Sequence, residues 1–149
     1  MAYSFERFKR SRWSLVILSE GRIIFKSRAR SISPLIRYLE SQPRSQQDSV
    51  IFDKYVGRAA ALLMVLIAPI HVHTPVISEG GDQILSQYGI PFTAERTVKY
   101  LMGEASEDMC RWEKASSGKT PEAFWQDLDY RPSGRISKER TRSSRKVRS

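Results

Sequence analysis

The stretch "SVIFDKYVGRAAALLMVLIAP", residues 49–69, constrains the fold most. "SVIFD" has the β-branched and aromatic content of a short buried strand, and Asp53 closes it. The residues after it predict a helix from about Lys54 to Ile67, capped by Asp53 and stopped by Pro69. A strand that runs into an apolar helix is half of a β–α–β unit, and "IHVHTPV" supplies the next strand. The apolar run Ala59–Ile70 holds about twelve residues, well short of the roughly twenty that span a bilayer.

The flanking segments extend this pattern. "WSLVILSEGRIIFKS" reads as a hairpin, with Gly21 supplying the positive φ of its turn. Ser33 and Pro34 open a helix as N-cap and first residue, and Gln42-Pro43 ends it. "SEGGDQILSQYGI" is a turn and a helix with Gly89 just past its end, and "IPFTAE" is a last short strand. Residues 106–117 and 120–129 form two more helices, the second entered through Thr120-Pro121. The order ββαβαβαβαα predicts a three-layer α/β/α domain around a mixed, largely parallel sheet of about five strands that opens with a hairpin. Aromatics such as Trp13, Phe25, Tyr55, Trp112 and Trp125 are expected in the core or between helices.

Charge divides the chain. The net charge is +9, but residues 131–149 carry eight basic residues and one acid, which leaves the first 130 nearly neutral. This Arg- and Ser-rich tail has too little apolar surface to offset its ordering entropy and is expected to be disordered. It can contact RNA, DNA or acidic partners through charge, or act only as a solubilising extension. Three segments follow: a basic one over 1–12, the α/β domain over 13–130, and the tail over 131–149. One cysteine, Cys110, excludes an intrachain disulfide and fits a reducing compartment. "MAYSFERFKRSRW" precedes only a short apolar run, so a soluble cytoplasmic protein without a secretory signal is expected.

The segments "SLVIL-x-x-GRIIFKSRARSISPL", "DKYVGRAAALLM", "VISEGGDQILSQYGI" and "CRWEKA" together resemble an uncharacterised prokaryotic domain-of-unknown-function family with a cytidine-deaminase-like fold. The resemblance covers about residues 13–127, and the D-K-x-x-G-[KR]-A-A-A and V-I-S-E blocks are its most specific parts. It implies a deaminase-like α/β/α sheet and carries no established activity. Where the family usually has Cys-Pro, this chain has Cys110-Arg111.

The residues do not supply zinc-deaminase machinery. Such enzymes place a His or Cys, with a Glu two positions on, at one helix start, and a P-C-x-x-C at another. "DKYVGRAAA" has no His, Cys or Glu, and "EDMCRWE" has one cysteine, so three N/S ligands cannot be assembled there. His71 and His73 share one face of a strand, but no third ligand accompanies them. No metal and no cofactor is expected.

Ligands in open α/β sheets bind beyond the carboxyl ends of the strands. Asp53 ends a strand, so it caps the next helix or faces a substrate. Gly57 lets that helix approach closely, while Lys54 and Arg58, four apart, share its first turn. Two cations there oppose the helix dipole, and an anion would relieve the cost; a solvated basic face balanced by Asp53 is the plainer reading. Ser78 is an N-cap or a ligand contact, and Ser27, with Arg28 and Arg30, adds to a polar rim or a solvated loop. Cys110 at a helix start, with Glu113 on the same face, has the arrangement of a nucleophile and a base, although Glu107 and Asp108 disfavour the thiolate.

Three functions follow as expectations. The first is a binding module for a small anionic, nucleotide-like ligand held by Lys54, Arg58, Gly57, Ser78 and Ser27. The second is a zinc-independent enzyme with Cys110 as nucleophile and Glu113 or Asp53 as base. The third is an RNA-associated protein acting through its tail. No membrane partner is expected, and the oligomeric state is open.

Overall fold

The computed structural model describes residues 3–41, 48–99, Trp112 and 114–129. The chain divides into two compact units between Ser117 and Gly118. The first unit contains α1 (Phe5–Arg10), β1 (Leu15–Ser19), β2 (Arg22–Ser27), α2 (Ser33–Ser41), β3 (Ser49–Asp53), β4 (Tyr55–Val56), α3 (Arg58–Ile67), β5 (His71–Ser78), α4 (Glu79–Gln87) and β6 (Phe92–Val98). Trp112 and residues 114–116 are also helical. The second unit contains α5 (Pro121–Asp129). Thr120 caps α5, its Oγ1 accepting from the Ala123 N–H at 3.1 Å.

The six strands form one open mixed sheet flanked by helices, in agreement with the α/β/α expectation. β1 pairs antiparallel with β2 and with β3, whereas β3, β4 and β6 all run parallel to β5. β3 and β4 lie in line along one edge of β5, and β6 takes the other. The hairpin turn is Glu20-Gly21, with φ of 53° and 80°. Two positive values define the tight turn whose twist matches the flanking strands.

The sheet has six strands because the chain stays extended past Asp53. The expected helix start at Lys54 is corrected: Tyr55 and Val56 pair with Val76 and Ile77, and α3 begins at Arg58. An aromatic and a β-branched residue favour the strand, and the Lys54 N–H is held by the Ser14 carbonyl at 3.1 Å. Gly57 is the N-cap, and Ala68, in the left-handed region at φ 59°, ends α3 before Pro69. Ser33 is likewise the first residue of α2 rather than its cap, and its hydroxyl donates to the Arg30 carbonyl at 2.9 Å. The last strand runs on to Val98, beyond the expected end, because its pairing with β5 continues to Ser78.

Two successive crossovers in the same direction, β4 to β5 and β5 to β6, place α3 and α4 on one face of the sheet. There they pack against each other over buried Leu15, Ile17, Ile51 and Val72. α4 closes as expected at Gly89, φ 72°. The Gly89 N–H donates to Ser86 and the Ile90 N–H to Leu85, which satisfies the last carbonyls of the helix.

α1 covers the opposite face. Periodicity gives no sign of this six-residue helix. It is held by one fully buried residue, Phe8, in a cluster with Val16, Leu18 and Phe52. Ser4 caps it by accepting from the Arg7 N–H at 3.0 Å. Among the described residues, no helix is long and apolar enough to cross a membrane.

Candidate functional site

The register brings most of the expected site to one end of the sheet. Leu15 pairs with both Ser27 and Asp53, so β2 and β3 end beside the start of β1. The same end holds Gly57 and Arg58 at the start of α3, and Ser78 at the end of β5. Cys110 and Glu113 lie outside the described residues.

Each residue there has a definite environment. Asp53 does not cap a helix: its Oδ1 accepts from the Tyr55 N–H at 3.4 Å, within the strand break. Burial pushes its carboxyl up to about 8, against the opposing pull of the Tyr55 and Lys54 N–H groups and the Lys54 charge. Burial thus favours its neutral form.

Lys54 and Arg58 do not share a helical face, which corrects the expectation of paired cations. The Lys54 ammonium turns back to α1, donating to the Ser11 carbonyl at 2.8 Å and lying 5.0 Å from the centre of the Phe8 ring. Burial lowers its pKa, with Asp53 acting in the opposite sense. Ser11 is the C-cap of α1, so Lys54 closes the negative end of that helix.

Arg58, the first residue of α3, donates from Nη2 to Gln83 Oε1 at 2.6 Å, tying the start of α3 to the middle of α4. Gly57 gives α3 no side-chain cap. α4 is pressed against this point: a Cβ on Gly81 would lie 2.7 Å from the Val56 carbonyl and 3.3 Å from the Gly57 carbonyl carbon. Ser78 is fully buried and caps α4, accepting from the Gly81 N–H at 3.0 Å. Its oxygen serves the helix. Ser27 accepts from the Ala29 N–H at 3.0 Å, and its carbonyl takes the Ser14 N–H at 2.8 Å.

Two features escape the sequence reading. Tyr55, expected inside, is 59% exposed on the rim next to Val56. Strand alternation across Tyr55-Val56 is the signal that separates them. The other is the surroundings of the histidines on the α1 face. His73 stacks on Phe52 at 4.9 Å between ring centres, meets Phe5 of α1 at 5.4 Å and lies 4.4 Å from His71. His71 Nε2 is 2.8 Å from Thr93 Oγ1, whereas His73 Nδ1 is buried with no partner. Burial, then His71, lowers the His73 pKa. Among the described residues, no three His, Cys, Asp or Glu side chains gather as a metal site.

The fold and rim define an open-sheet α/β protein in which two helix N-termini meet beyond the parallel strands. The chain belongs to the family described as "Domain of unknown function (DUF1893)", whose model matches residues 4–127. It is also similar to the crystal structure of a DUF1893 family protein (TM1506) from Thermotoga maritima, with a TM-score of 0.73, 27% identity and 83% of each chain covered. No curated protein matches the chain.

Proposed function

We propose that this chain is a binding module for a small anionic, nucleotide-like ligand, held beyond the carboxyl ends of the parallel strands. The observation that carries the reading is the start of α3. Gly57 offers it no side-chain cap, the first N–H groups of a helix have no partner within the helix, and the helix dipole adds about half a positive charge. Arg58 adds a full charge, oriented by Gln83. A phosphate or carboxylate is complementary in charge to both. Tyr55 offers a flat exposed face beside them, suited to a base or another planar group. The raised pKa of Asp53 lessens its repulsion of an anion.

Thermal-shift measurements with inorganic phosphate, nucleoside monophosphates and nucleoside triphosphates test this. Stabilisation of wild type by a few degrees at saturating anion, with a much smaller response in R58A, supports the reading. No response to any of these anions, or an R58A response equal to wild type, overturns it.

A further inference from the structure

A second cationic surface lies on the α1 face, apart from the start of α3. Lys26 pairs with Val16, which belongs to the cluster under α1, so Lys26 points to the α1 side of the sheet. Trp13 packs against that same cluster and is partly exposed. The Lys26 ammonium lies 4.6 Å from the centre of its ring, and the Arg28 guanidinium 4.5 Å. Arg10 ends α1, and Arg12 directly precedes Trp13.

These cations are unbalanced. Arg10, Arg12, Lys26 and Arg28 form no ion pair among the described residues, whereas Lys9 engages both Glu6 and Glu95. From Arg10 to Arg30 there is one acid, Glu20, and it sits at the far end of the hairpin, in the turn. Asp53 pairs with Leu15 at the start of β1, and burial favours its neutral form. Lys26 and Arg28, both over one indole, repel each other, Arg10 and Arg12 add like charge in the adjoining turn, and the indole only partly offsets this.

We infer that the turn between α1 and β1, together with the end of β2, binds the phosphate backbone of single-stranded nucleic acid through Arg10, Arg12, Lys26 and Arg28 around Trp13. The three arginines present flat guanidinium planes as well as charge, a combination that accepts phosphates and stacks with unstacked bases, while Trp13 holds Lys26 and Arg28 in place. Trp13 is anchored in the core cluster and is not available to insert into a lipid surface. The site is independent of the ligand proposed at α3 and of the basic tail.

The test uses the full-length chain, so that the tail is present in every sample. Binding of a labelled oligo(dT) and an oligo(U) is followed by anisotropy over a range of salt concentrations, for wild type, K26A/R28A and R10A/R12A. Each pair should lower affinity several-fold at low salt and reduce the slope of log K against log salt by about 1.4, two single-strand contacts. All four side chains lie on a helix end, a turn or the exposed side of an edge strand, and melting curves of both variants confirm folding. Wild-type affinity and slope in both variants would overturn the proposal. So would wild-type binding to polyglutamate or to anionic vesicles as tight as to the oligonucleotides and weakened equally by the same substitutions.

Discussion

Gly81 rests on the carbonyl of Val56: a methyl group added at Gly81 would meet that oxygen at 2.7 Å and Ile77 Cγ1 at 3.0 Å. The oxygen belongs to backbone that is paired into the sheet, so the added carbon cannot be accommodated by turning a side chain. G81A is expected to destabilise the protein by about 1–3 kcal/mol, the usual cost of overpacking, as read by urea denaturation. G89A has open space around it but forces a left-handed residue, and should cost about 1 kcal/mol.

Asp53 predicts a pH dependence of definite sign. Its folded-state pKa, about 8, is above the unfolded value near 4. The folded chain therefore holds a proton that the unfolded chain has released, and stability falls with rising pH across that interval. The contribution is complete below pH 4 and is lost as pH passes 8. D53N keeps an oxygen acceptor for the Tyr55 N–H and removes the titration. Its stability relative to wild type should rise between pH 5 and pH 9, measured by urea melts at both.

His73 acts in the opposite sense. Its pKa is lowered, so the unfolded chain binds more protons below about pH 6.5, and stability falls with falling pH. H73F removes the buried, unpartnered Nδ1 and keeps a ring against Phe5 and Phe52. It should stabilise the protein at pH 5 by about 1 kcal/mol or more, and by less at pH 8.

Lys54 should behave as a structural cation. K54M retains the stem but loses the bond to the Ser11 carbonyl and the contact over Phe8. A loss of about 1–2 kcal/mol in stability is expected, with unchanged response to the anions used against Arg58.

Ser78 and Arg58 separate scaffold from ligand contact. S78A removes the cap on α4 and should cost about 1 kcal/mol with little effect on anion affinity. R58A should do the reverse: a small change in melting temperature and a large one in affinity. Calorimetric titration alongside denaturation reads both.

What the sequence discloses tracks how local each signal is. The hairpin at Glu20-Gly21, the Ser78 cap, the Gly89 closure and the strand ending at Asp53 all have their determinants within a few residues, and all are found where the sequence puts them. The start of α3 does not. Alanines from 59 onward and a capping-type Asp53 favour an early helix, but pairing of Tyr55 and Val56 with a strand twenty-one residues later decides otherwise. The site divides the same way. Topology places Asp53, Arg58 and Ser78 at one edge of the sheet, as strand order alone suggests. The inward turn of Lys54, the raised pKa of Asp53 and the gathering of cations on Trp13 depend on cross-strand register and on α1, neither of which has a local signature.

The in-line arrangement of β3 and β4 makes β5 the keystone of the sheet. Taking away β2 or β6 would trim one outer strand and leave a smaller sheet intact. Taking away β5 would strand β4 and β6 with no backbone neighbour and leave only the hairpin and β3 joined. The histidines, the crossover helices and the rim beyond the strands all depend on that one segment staying in place.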